Sequence, residues 1–171
     1  MTYEITEDRS DEYFKRAFEE LLKLEGGYVN DPIDLGGETN YGISRKSYPK
    51  LDIKNLTEED AKKIYYTDYW LKNKCNVIYH YGLAEKVFNL SVNMGCKQAG
   101  KLLQRALRGL GKRLTEDGVI GAITTAAIFK ADPTQLLSAL KSEAAGYYRL
   151  IASINSSQER FLTGWLNRAY A

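Results

Sequence analysis

Residues 24–44 read LEGGYVNDPIDLGGETNYGIS, and the fold turns on how this stretch joins what precedes it. Upstream, residues 11–24 carry Phe14, Ala17, Phe18, Leu21 and Leu22 at helical spacing, with Lys15, Arg16, Glu19, Glu20 and Lys23 on the other face, which predicts an amphipathic helix. Ser10 is placed to cap it, and Asp11 and Glu12 suit the positive end of its dipole. Gly26 and Gly27 should end it, because glycine tolerates the left-handed backbone common at helix ends. From Tyr28 to Ile43 no helical period survives. Asp31-Pro32, Gly36-Gly37 and the Asn40 to Gly42 region are turn signals, so a small irregular β-hairpin or a pair of short strands is expected. Acids and glycines gathered at the end of a helix mark a candidate active site, because a packed core needs neither.

Outward from this junction the chain reads as helices. Thr57 with Asp60 resembles a capping box for a helix running to about Leu71, with Ala61, Ile64, Tyr65, Tyr69 and Trp70 inward. Those aromatic rings are either core or a wall for sugar rings. Residues 82–94 and 97–110 form two more helices, the second with a clean apolar stripe beside basic Lys97, Lys101, Arg105 and Arg108. A turn-rich connector, RLTEDGVIG at 113–121, leads to a short helix over 122–130. Asp132-Pro133 starts a long helix by cap and first-turn proline. Ser156 with Glu159 reads as a capping box for the last helix, whose buried face should be Phe161, Leu162, Trp165, Leu166 and Ala169. The expected fold class is mainly α, formally α+β: a helical bundle with one small β-hairpin carrying the polar motif.

Composition narrows the function classes. The 171 residues suffice for one domain, or a catalytic lobe with a small helical lobe, and a 44% hydrophobic, 27% charged composition is that of a folded globular chain. Net charge is +2, from 24 basic and 22 acidic residues, which makes nucleic acid a poor partner. No apolar run is long enough for a spanning helix, so stable membrane insertion is not expected. The acidic start, MTYEITEDRSDEYF, does not have the form of a secretory signal. Synthesis in the cytoplasm is expected, with either a role there or export by another route. Cys75 and Cys96 allow one bridge but match no redox or metal motif, and reduced thiols fit the lack of a signal. With His80 the only histidine, a zinc site would lack a fourth ligand. No metal and no cofactor is expected.

Read as chemistry, Glu25 is followed by Asp34 nine residues on and Thr39 five further. Cleaving a glycosidic bond takes one protonated carboxyl to release the leaving oxygen and one ionised carboxylate to support the oxocarbenium-like state or activate water. A glutamate at a helix C-terminus meets unpaired carbonyls and the negative dipole end, which favour its protonated form, so Glu25 suits the acid. Asp34 suits the ionised role, and the Thr39 hydroxyl could orient water. Asp31 is the second choice for that carboxylate. Glu38 is the third, since it flanks the Gly36-Gly37 turn and should face solvent. A glutamate at a helix end is otherwise a solvated one, and acids in turns otherwise cap backbone amides; spacing alone leaves both readings open.

The string EGGYVNDPIDLGGETNYGIS closely resembles the signature of glycoside hydrolase family 108, bacterial and phage N-acetylmuramidases of lysozyme-like fold once labelled secretion activators. LTEEDAKKIYYTDYW resembles the family's following helix, and VFNLSVNMGCKQAGKLLQRAL the helices that close the catalytic lobe. DGVIG with GWLNR resembles its C-terminal predicted peptidoglycan-binding region, so the likeness covers essentially residues 10–170. It implies a catalytic lobe over 1–95 and a helical wall-binding region over 96–171 packed on it. It also implies Glu25 as catalytic acid. The order glutamate, aspartate, threonine is similar to that of phage-type lysozymes, where the last spacing is commonly one residue longer. Tyr28, Asn30, Asp31 and Tyr41 match the motif and are the implied substrate-binding residues.

The implied substrate is the glycan strand of peptidoglycan, cut at the β-1,4 bond between N-acetylmuramic acid and N-acetylglucosamine. The implied place of action is the periplasm or the cell wall, with a holin or secretion machinery as the export partner. Two alternatives stand beside this. One is lytic transglycosylase action, which needs only the acid. The other is a wall-binding or secretion-assisting protein without turnover.

Overall fold

The computed structural model describes residues 7–24, Tyr28 and 38–171. Helix α1, Glu7–Leu24, is followed by strands β1, Thr39–Asn40, and β2, Ile43–Ser44, which pair antiparallel. Then come α2, Glu58–Tyr65, a π-helical turn Tyr66–Leu71 and a short 3-10 turn Cys75–Val77. The rest is helical: α3, Tyr81–Met94; α4, Cys96–Gly109; α5, Ala122–Phe129; α6, Pro133–Ile154; a 3-10 turn Ser156–Phe161; and α7, Leu162–Tyr170. The expected class holds: a mainly helical body with, among the described residues, one small antiparallel hairpin.

The core begins with α1, whose Phe14, Ala17, Phe18 and Leu21 are buried as their spacing requires. Phe14 packs on Trp70 with ring centroids 5.6 Å apart and on Phe88 at 5.9 Å, and Trp70 meets Phe88 edge-on at 5.6 Å. The expected helix over 57–71 starts as read, with the Asp60 amide donating to Thr57 Oγ1 at 3.2 Å. It then widens into the π turn from Tyr66. In α geometry residues five apart point in different directions, whereas an i→i+5 turn brings them into line. Tyr65 and Trp70 are five apart and both fully buried, so the widened turn serves the core. These rings are core, not a wall for sugars.

Two expected caps are replaced. Helix α1 starts at Glu7, so Ser10 lies within it, buried, and accepts a hydrogen bond from Trp70 Nε1 at 3.4 Å. A buried indole N–H needs an acceptor, and that demand outranks capping. At the other end, Asn155 is the cap, its Oδ1 accepting from the Ser157 amide at 3.2 Å. Ser156 to Phe161 wind as a 3-10 turn, which leaves Phe161 43% exposed and only Ala169 of the expected face fully buried. Leu162, Trp165 and Leu166 are half-buried against the core.

The remaining expectations need smaller adjustments. Asp132 caps α6 through the Gln135 amide at 2.8 Å, with Pro133 in the first turn. His80, just before α3, caps it: its Nδ1 accepts from the Leu83 amide at 3.1 Å. Cys75 is buried and Cys96 half-buried, both as free thiols, and burial pushes the Cys75 thiol well up. No helix of the described residues is long and apolar enough to cross a membrane.

The connector at 113–121 is held from inside. Gln104, on α4 and almost fully buried, donates through Nε2 to Asp117 Oδ1 at 2.8 Å, Val119 O at 3.1 Å and Thr124 Oγ1 at 3.2 Å. Its Oε1 accepts from the Gly118 amide at 2.7 Å. Gly118 has φ +81°, and a side chain there would collide with the Lys97 carbonyl, so the turn requires glycine.

Candidate active site

The hairpin is built on a two-residue turn. Tyr41 and Gly42 both have positive φ, 50° and 75°, the geometry whose twist matches antiparallel strands. Glycine fits there freely, whereas tyrosine is uncommon in it. Tyr41 is held by its carbonyl, which accepts from the buried Tyr65 hydroxyl at 2.9 Å. Asn40 points inward and donates through Nδ2 to the Ile53 and Leu56 carbonyls at 3.1 and 3.3 Å. These bonds fix the hairpin to the 53–56 loop, with Thr39 opposite Ser44 and Asn40 opposite Ile43.

Extending that register by one pair sets Glu38 across from Arg45. The Arg45 amide donates to the Glu38 carbonyl at 2.8 Å, and its Nη2 reaches Glu38 Oε2 at 2.6 Å. Its Nη1 donates to the Leu51 carbonyl at 2.6 Å. The other carboxylate oxygen, Glu38 Oε1, accepts from the Tyr28 hydroxyl at 2.9 Å. The Arg45 guanidinium, and then the Tyr28 hydroxyl, hold the Glu38 carboxyl below the usual glutamate range. Glu38 is therefore an ionised clamp with both oxygens engaged, not the free solvent-facing acid expected. Its side chain is 16% exposed.

Of the expected site residues, the described ones gather here. Thr39 is half-buried on β1, Tyr41 is half-buried in the turn, and Tyr28 is tied to the hairpin through Glu38. Glu25, Asn30, Asp31 and Asp34 lie outside the described residues, as do the turns expected at Gly26-Gly27, Pro32 and Gly36-Gly37. The helix expected to present Glu25 is described as far as Leu24. Arg45 and Asn40 are the structural members that spacing arguments overlooked. Arg45 was legible in principle: a two-residue turn at Tyr41–Gly42 pairs positions 38 and 45, glutamate with arginine.

Among the described residues no group of three or more histidine, cysteine, aspartate or glutamate side chains could hold a metal ion.

The glycosyl hydrolase 108 family matches residues 18–95, which include the motif and the hairpin, and the predicted peptidoglycan domain matches residues 98–170. The first of these two regions belongs to the glycosyl hydrolase 108 family. Among solved structures it is similar to SagA of Brucella abortus, with a TM-score of 0.73 and 26% identity over 94% of this chain and 95% of that one. No curated protein matches the chain. A glycosyl hydrolase 108 region joined to a peptidoglycan domain makes the protein a peptidoglycan hydrolase of lysozyme-like fold.

Proposed function

We propose that the protein is an N-acetylmuramidase that cuts the β-1,4 bond between N-acetylmuramic acid and N-acetylglucosamine. The observation that carries this is the bond from Tyr28 to Glu38. It ties Tyr28, three residues after Glu25 in the sequence, to Glu38, the residue before Thr39, and so supports reading the motif's two ends as parts of one site.

In this reading Glu25 is the general acid. It gives its proton to the glycosidic oxygen as the bond to the muramic acid C1 breaks, and the N-acetylglucosamine O4 leaves as a hydroxyl. Asp34 stays ionised beside the developing positive charge, with Asp31 as the second choice. Thr39 orients the water whose oxygen ends on C1 and whose proton passes to an ionised carboxylate of the site. Tyr28, Asn30, Asp31 and Tyr41 line the sugar path, and the Glu38–Arg45 clamp sets where Tyr28 stands. Residues 1–95 form the catalytic lobe and 96–171 the wall-binding region, a division supported by family matches that end at 95 and begin at 98. The place of action is the periplasm or the cell wall, with delivery by a holin or secretion machinery.

Mass spectrometry of digested peptidoglycan tests the reaction. Reducing ends are expected, and 1,6-anhydro ends would make the protein a lytic transglycosylase. Glu25→Gln should lower wall clearing by about 10²–10⁴-fold, the range of a lost general acid, while still binding the wall. Undiminished clearing by that variant removes Glu25 from the mechanism. An absence of any cleavage by the wild type leaves a binding protein.

A further inference from the structure

A cavity of about 540 Å³ with polar and charged residues in its walls opens between α1, α3 and α7. Its walls include Glu20, Glu85, Lys86 and Asn89 from the glycosyl hydrolase 108 region, and Asn167 and Arg168 from the peptidoglycan domain. It is thus shared by the two family regions. It also lies one helical turn before Leu24, the end of the helix that leads into the EGGY motif.

Its polar groups are incompletely satisfied. Asn89 is 8% exposed, and its Oδ1 accepts no hydrogen bond. A buried acceptor without a donor is expensive and calls for an explanation. One turn earlier on the same helix face stands Glu85, whose carboxylate forms no hydrogen bond or ion pair among the described residues. Burial pushes its carboxyl upward, and nearby Lys86 only partly offsets this. Lys86 is itself buried and donates to the Arg168 carbonyl at 3.0 Å, which fastens α3 to α7. The Arg168 guanidinium makes no hydrogen bond or close ion pair among the described residues, and its charge acts across the cavity on Glu85 and Lys86. Glu20 is already engaged, by Arg16 Nε at 3.3 Å and the Tyr81 hydroxyl at 3.0 Å.

An unpaired carboxylate and a starved amide oxygen on one wall, facing an unpaired guanidinium on the other, suit a ligand with an ammonium and a carboxylate close together. The sugar backbone of peptidoglycan offers no such pair, because its N-acetyl and hydroxyl groups are neutral. Its stem peptides do, at the free amino-acid end of the diamino residue.

We propose that this cavity binds the zwitterionic end of a peptidoglycan stem peptide, with the ammonium at Glu85 and Asn89 and the carboxylate at Arg168. The site would hold the peptide while the catalytic residues act on the glycan, so the peptidoglycan domain would contribute to substrate choice through α7. This rests on peptidoglycan being the substrate.

The test titrates the full chain with the tripeptide L-alanyl-γ-D-glutamyl-meso-diaminopimelate, and with the same peptide acetylated on its terminal amine, by calorimetry and amide chemical shifts. Saturable binding with shifts at 85–89 and 164–168 is expected. Acetylation, Glu85→Gln and Arg168→Gln should each weaken it by about tenfold, as for a lost charge-assisted bond. If a charge variant loses its fold, Asn89→Leu carries the test. It should weaken binding yet raise the melting midpoint by about 2–4 °C, since it removes an unsatisfied buried acceptor. No saturable binding, equal binding of the acetylated peptide, or unchanged binding by the variants overturns the proposal. Release of reducing ends from peptide-free glycan chains is measured in parallel. Failure there with peptide binding intact counts against the muramidase reading alone, and the converse against the peptide site alone.

Discussion

The hairpin at 38–45 and the turn at 117–121 each contain a left-handed glycine and an acid, Gly42 with Glu38 and Gly118 with Asp117, yet they are closed by different chemistry. In the hairpin the closing bond is an ion pair, Glu38 to Arg45, open to water on the guanidinium side. In the 117–121 turn the closing group is a neutral amide, Gln104, buried on α4 and bonded through both ends. A screened ion pair contributes little to stability but holds a geometry. A buried amide contributes much, because each partner it abandons is left without water. The difference separates a region set up to position side chains from one set up to fasten helices together.

That contrast can be broken at several points. The largest loss is expected for Gln104→Ala, which strands the Gly118 amide and removes the donor shared by Asp117, Val119 and Thr124. Denaturant unfolding should show a loss of about 3 kcal/mol, and a loss no larger than that of a surface substitution would remove Gln104 from its role. Asn40→Ala, which frees the Ile53 and Leu56 carbonyls, should destabilise by about 2 kcal/mol and also reduce wall clearing, since Thr39 is its neighbour on β1. A destabilised variant with full activity would detach the hairpin from the active site.

The smallest stability change belongs to Arg45→Gln. Its melting midpoint should stay near that of the wild type, while clearing falls by about tenfold through misplaced Tyr28. Equal losses in both readouts would erase the distinction between the two regions.

The hairpin clamp also has an acid signature. Glu38 has a folded pKa below its unfolded value, so its stabilising contribution is complete above the unfolded value and disappears as pH falls through the lowered folded one. Glu116, held low by Arg105, and Asp117, held low by Gln104, act in the same direction at the other turn. Thermal melts from about pH 7 to about pH 3 should show Glu38→Gln losing less stability on acidification than the wild type. An unchanged slope would mean that Glu38 does not contribute through its charge.

Local signals in the chain were enough for the helices. Apolar spacing located them, Thr57 and Asp132 announced two starts, and the NYG run announced the hairpin turn. The failures share one cause. Ser10, spaced like a cap, is an acceptor for Trp70, and Ser156 yields its role to Asn155. In each case a short polar side chain can serve either end of a local bond, and only the surrounding packing says which. The π turn at 66–71 was likewise hidden, because five-residue alignment of Tyr65 with Trp70 is demanded by the core rather than by the local sequence.

The sequence by itself determined that a helix runs into a polar, glycine-rich motif, that the rest of the chain is helical, and that the motif is that of a glycosyl hydrolase. Those properties depend on spacing and residue type, which are local. Only the tertiary structure decided that Glu38 is a clamp shared by Tyr28 and Arg45, and that Glu85 and Arg168 face one cavity from opposite halves of the chain. Such pairings join residues far apart in sequence, and what sets them is the desolvation and packing of the folded body.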